Sequence, residues 1–138
     1  MRGTIPVVER IYTTPRLDKL GVRPGARVAI VGVPDEDLRV ELATRTHDVT
    51  IGEPLPDTDI VLLAADSQVE LAALPGLRDR IVPNGAVWVV SRKGKTATLR
   101  DVDVIAAARA SGLVDNKVAS FSTTHTALRL VIPVALRG

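Results

Sequence analysis

The 138-residue sequence contains no cysteine. Disulfides, thiolate metal sites and a cysteine nucleophile are therefore excluded. Aromatic residues are almost as scarce, with Tyr12, Trp88 and Phe121 the only three. The core must be aliphatic, and a base-stacking platform for single-stranded nucleic acid has too few aromatic faces. The two histidines, His47 and His125, form neither an HxH nor an HxxxH pair, so no metal site is predicted. Long apolar runs are missing too. Ile60 to Ala65 is the longest aliphatic run, far short of the roughly 20 residues that span a bilayer. Near the N-terminus, Glu9 and Arg10 interrupt the only candidate for a secretory apolar region. A soluble, cytoplasmic protein with no membrane partner is expected.

Hydrophobic residues make up 46% and charged residues 25%, the profile of an ordinary globular protein. The length suits one α/β domain over residues 1–138, with 1–13 as an extended lead-in. Net charge is +2 but uneven: residues 1–27 carry +4, 28–91 carry −7 and 92–138 carry +5. The two basic ends could converge on an acidic partner, although local charge bias is common. Arginine outnumbers lysine fourteen to four, which suggests a GC-rich bacterial genome.

Strand and helix signals alternate. Thr14 and Pro15 start a short helix that Gly21 ends. Strands are predicted over residues 27–31, 48–51, 59–65, 86–91, 114–122 and 128–134. The run over 59–65 is uniformly aliphatic, as a parallel strand covered on both faces requires. Pro34 is placed at the first position of a helix reaching about Thr44. Ser67 and Glu70 form a capping-box pattern, and Pro75-Gly76 breaks that helix or starts a second. Pro83-Asn84-Gly85 is a turn, and Thr98 caps a helix over 99–111. Pro133 should end the last strand or mark a bulge. The order predicts a three-layer α/β fold with a mostly parallel sheet and an antiparallel C-terminal strand.

A lack also marks the first strand. After Gly32 the chain runs Val33-Pro34-Asp35-Glu36-Asp37, where a cofactor-cradling turn needs further glycines. Leu20 to Val28 nevertheless resembles the lead into motif one of S-adenosylmethionine-dependent methyltransferases. Ile81 to Val89 resembles their L-x-P-G-G-x-L-x-V turn and strand. Together these imply an abbreviated methyltransferase-like Rossmann fold, shortened by about one βα unit. Gly85 to Val89, Lys93, the helix from Val104 to Ala110, Ala110 to Val118 and Ala127 to Val131 resemble the bacterial family called domain of unknown function 3052. That resemblance spans most of residues 15–134, is strongest after residue 80, and implies no established activity.

Five places could carry chemistry. The turn after Gly32 reads as a helix start whose acids favour the helix dipole. Glu53 is the nearest acid to the end of the second strand, where a ribose would be held. Asp66 ends the strongest strand and could orient or deprotonate a nucleophile, although it also suits a helix start. Arg92, Lys93 and Lys95 place three cations where a phosphate or carboxylate could sit, but the loop lacks the first glycine of a P-loop. His125 lies among serines and threonines without a nucleophile elbow. The favoured reading is a non-catalytic binding or regulatory module without a cofactor, recognising a protein partner or small anion through Arg92, Lys93 and Lys95. The alternative is a small S-adenosylmethionine-dependent methyltransferase with a non-standard pocket of Gly32, Glu53 and Asp66, and Asp66 as its catalytic residue. Nucleic-acid binding by the basic ends is third, weakened by the acidic middle. The short sheet edge and apolar lead-in are compatible with a homo-oligomer.

Overall fold

In the computed structural model residues 15–137 are described. The extended lead-in and the Thr14 cap lie outside them. The elements are α1 (Arg16–Leu20), β1 (Val28–Val31), α2 (Glu36–Ala43), β2 (Val49–Ile51), β3 (Thr58–Ala64), α3 (Gln68–Leu71), α4 (Leu74–Arg78), β4 (Ile81–Arg92), α5 (Asp101–Ala110), β5 (Val114–Ser120) and β6 (His125–Val131). The strands form one sheet in the order β2-β1-β3-β4-β6-β5. β1 pairs parallel with β2 and β3, and β3 pairs parallel with β4. β6 runs antiparallel to β4 and β5. This is the mostly parallel, methyltransferase-like Rossmann sheet with an antiparallel strand near its end.

The period-two alternation of the strands sorts their side chains onto two faces. Val28, Ile30, Ile60, Leu62, Trp88 and Val90 pack with Leu17 and Leu20 of α1 and Leu38 and Leu42 of α2. Ala29, Val61, Leu63, Val87 and Val89 pack with Leu71, Leu74 and Leu77 and with Val104 and Ala108 of α5. Both sides of β3 are buried, which is why its sequence reads as one aliphatic run. Trp88 is 1% exposed, and its indole N–H donates to the carbonyl of Leu20 at 3.1 Å. That bond ties the end of α1 to the middle of the sheet.

The chain passes from β2 to β3 through residues 52–57 with no helix between them. β1 lies between these two strands, so the strand order reverses there. Open α/β sheets bind ligands outside the carboxyl ends of their strands at such a reversal.

Several local expectations are corrected. α2 starts at Glu36, not Pro34, and Asp35 caps it: its side chain accepts from the Leu38 N–H at 2.9 Å. Thr98 does not cap α5, which starts at Asp101; its hydroxyl donates to the Asp66 carbonyl at 2.7 Å. The Ser67 hydroxyl donates to Glu70 rather than receiving a backbone N–H, and the same carboxylate oxygen takes the Asp66 N–H. Pro83-Asn84-Gly85 does not separate a turn from a strand but lies inside the twelve-residue β4. Thr58 pairs with Ile81 and Ile60 with Ala86, so the extra residues form a bulge. A Cβ on Gly85 would stand 2.8 Å from the carbonyl oxygen of Asp59, which explains the glycine. β6 begins at His125, earlier than predicted, and Pro133 falls past its end.

Candidate functional site

At the carboxyl edge, where the strand order reverses, the loop after β1 faces the β5–β6 connection across a cavity of about 250 Å3. Val33, Pro34, Ala64, Val90 and Phe121 give it an apolar lining, while Asp35, Ser122, Thr123, Thr124 and His125 supply its polar groups. Gly32 adopts φ +78°, which turns the chain out of β1.

Asp35 is the most constrained of the polar groups. Besides capping Leu38, it pairs with the Arg16 guanidinium at 2.9 Å. Burial raises the Asp35 carboxyl, but the Leu38 N–H and Arg16 outweigh it and hold the group below the ordinary aspartate range. Arg16 also pairs with Glu41, donates to the Phe121 carbonyl at 3.1 Å and lies 4.7 Å over that ring. The hydrogen bond from Arg16 to Glu41 raises the guanidinium above its usual value, against the opposing effect of burial. A single arginine thus joins α1, the start of α2 and the β5–β6 connection.

The candidates from sequence are distributed differently. Gly32 is at the pocket's edge of the sheet, but Glu53 pairs with Arg80 at 3.3 Å and lines a separate hollow beside α4. Asp66 accepts the Arg92 backbone N–H at 2.9 Å and stands 3.9 Å from the Arg92 guanidinium. None of Gly32, Glu53 and Asp66 is among the residues that line the carboxyl-edge cavity. Lys93 donates to the Ser120 hydroxyl at 3.0 Å, and its backbone N–H donates to the Thr124 carbonyl. That contact sets the loop of Arg92, Lys93 and Lys95 beside the pocket's hydroxyl-bearing wall. His125 shares a 2.7 Å hydrogen bond through Nδ1 with the Thr124 hydroxyl.

Arg16 and Phe121 were not singled out from sequence. Their contact spans 105 residues, and neither periodicity nor a motif signals it. Among the described residues no group of three or more metal-ligating side chains occurs, and no helix is long and apolar enough to cross a membrane.

No family model matches the sequence, and no curated protein matches it. Solved structures do match. A type 11 methyltransferase from Sulfolobus solfataricus aligns with a TM-score of 0.63 at 13% identity, over 90% of this chain and 91% of that one. A TehB-like S-adenosylmethionine-dependent methyltransferase from Corynebacterium glutamicum aligns at 0.56 and 11% identity, over 93% and 94%. The magnesium protoporphyrin IX methyltransferase of Synechocystis, solved with S-adenosylmethionine bound, aligns at 0.57 and 12% identity, over 94% and 78%. Identities this low speak for shared architecture, and with the strand order they establish that the chain has the methyltransferase-type Rossmann fold.

Proposed function

We propose that the chain is a binding module on the methyltransferase scaffold. Its carboxyl-edge pocket takes the apolar body of a small ligand, whose anionic end lies outside the cavity on the loop of Arg92, Lys93 and Lys95. Asp35 carries this reading. In nucleotide-binding sheets the helix after the first strand offers its positive N-terminus to an anionic part of the ligand. Here the chain's own carboxylate holds that place, bonded to Leu38 and paired with Arg16. It would repel the carboxylate of S-adenosylmethionine. The pocket volume also lies below the roughly 300–1,000 Å3 usual for small-molecule sites. The lining supports an apolar body of a few atoms, and Arg92, Lys93 and Lys95 supply positive charge on the adjoining loop. The resemblance to the domain of unknown function 3052 family, a cytoplasmic bacterial setting and a protein partner or second copy belong to this same proposal.

The comparisons favour a second reading, a small S-adenosylmethionine-dependent methyltransferase. Every structure named above carries a methyltransferase name, and the pocket lies at the reversal of strand order. The protein would then act by aligning a nucleophile with the sulfonium methyl. Calorimetry separates the two readings. S-adenosylmethionine is expected to give no saturable heat up to millimolar concentration. Saturable binding that weakens in Pro34→Trp, which fills the pocket, would install the methyltransferase reading instead.

A further inference from the structure

The opposite edge of the sheet holds a larger cavity, of about 400 Å3. It opens between the turn that follows α1, the start of β3 and the bulge of β4. Arg129 lies in its wall. On β6 this residue pairs with Trp88 on one side and Lys117 on the other, so it shares the inward-facing row of Ala127 and Val131. Arg129 is half-buried there, and a partly desolvated guanidinium gains from an anionic partner. Among the described residues Arg129 makes no salt bridge and donates only to the neutral Asn116 side chain, at 3.3 Å. Burial, and then the charge of Arg137, lower it from the usual guanidinium range. Arg23 and the Asn84 amide share the lining. Among the described residues the lining holds one carboxylate, Asp59, which accepts the Arg27 backbone N–H at 2.8 Å.

We propose that this amino-edge cavity binds a small organic anion, with Arg129 taking its phosphate or carboxylate group and Arg23 and Asn84 completing the contact. A guanidinium presents paired N–H groups that fit either oxyanion. The site is independent of the carboxyl-edge pocket and of the function proposed for it.

The experiment is an amide-resolved NMR titration at constant ionic strength, with inorganic phosphate in one arm and succinate in the other. Saturable shifts are expected at Gly21, Gly25, Gly85 and Arg129 in at least one arm, and the arm that saturates identifies the oxyanion. Arg129→Gln should weaken that binding at least tenfold, and Lys93→Ala with Lys95→Ala should leave it unchanged. Should Arg129→Gln fail to fold, the exposed Arg23→Gln replaces it, with a severalfold weakening expected. Shifts that stay linear in both arms, or saturable shifts that survive the arginine substitution, overturn the proposal. So does saturation confined to residues 92–96, which would assign the anion to the other edge.

Discussion

The two edges of this sheet treat their charges differently. At the carboxyl edge, where such sheets bind ligands, the charges at the mouth of α2 and at the end of β3 are paired, and Lys93 and Lys95 on the adjoining loop make no salt bridge among the described residues. Arg16 is shared by Asp35 and Glu41, and Asp66 holds Arg92. The amino edge has a larger cavity and keeps Arg129 without a salt bridge among the described residues. Fold likeness points to the first edge and charge bookkeeping to the second. A scaffold inherits a place for a ligand, but unneutralised groups determine what can be held there.

Trp88 connects the two regions, so its loss should have the largest effect. It anchors the end of α1 by the Leu20 carbonyl, while Arg16 at the other end of that helix serves the carboxyl edge. Trp88→Ala removes a fully buried ring and is expected to cost about 3–5 kcal/mol. Chemical denaturation measures it. A loss under about 1 kcal/mol would mean that α1 is not held to the sheet as described. Trp88→Phe should recover most of the packing but leave the Leu20 carbonyl unpaired, for a loss of about 1–3 kcal/mol.

Gly85 tests the amino edge alone. An added Cβ meets the Asp59 carbonyl oxygen, a backbone atom that moves only with β3. Gly85→Ala should destabilise by about 1–3 kcal/mol, the usual cost of overpacking. Amide shift changes should concentrate on the bulge and the cavity there, sparing residues 33–35. Equal disturbance at both edges would show that the two are one cooperative unit.

Asp35 tests the carboxyl edge. Asp35→Ala removes a helix cap and the Arg16 pair, with an expected loss of about 1–2 kcal/mol at neutral pH. The folded carboxyl is held below its unfolded value, so its contribution is complete above about pH 4 and fades as pH falls through the folded value. The gap between wild type and variant should therefore narrow in acid. A gap that widened below pH 4 would place the stabilising charge elsewhere. The same variant removes the carboxylate invoked against a cofactor, so a gain of S-adenosylmethionine binding in it would show that Asp35 alone blocks the site.

The middle of each region was legible from sequence and the edges were not. β1 and β3 were found because burial on both faces leaves an unbroken aliphatic record. The short terminal pair is also readable, but the polar run Ser122-Thr123-Thr124 reads as a loop that takes in His125. Ser122 and Thr124 bond to each other at the turn while His125 enters the ladder opposite Arg92. The Pro83-Asn84-Gly85 turn signal was a true signal of irregular backbone, absorbed as a bulge because Thr58 and Ile81 pair beyond it. The pairing of Arg16 with Asp35 and Phe121 left no local trace, since it depends on how three elements meet at the sheet's end.

Glu53 gives the smallest effect and the finest distinction between the two functional readings. A ribose-binding acid at the end of β2 must point into the carboxyl-edge pocket. Glu53 instead turns along the direct connection to β3 and meets Arg80 beside α4, with its side chain 82% exposed. An exposed pair of this kind contributes little, because water and salt screen it. Glu53→Gln should leave the melting temperature and the chemical shifts of residues 33–35 and 121–125 unchanged within error. A shift confined to Arg80 and α4 would agree with the direct loop between β2 and β3. Movement of the pocket amides would mean that this acid reaches the carboxyl edge, and the methyltransferase reading would regain the ribose contact it now lacks.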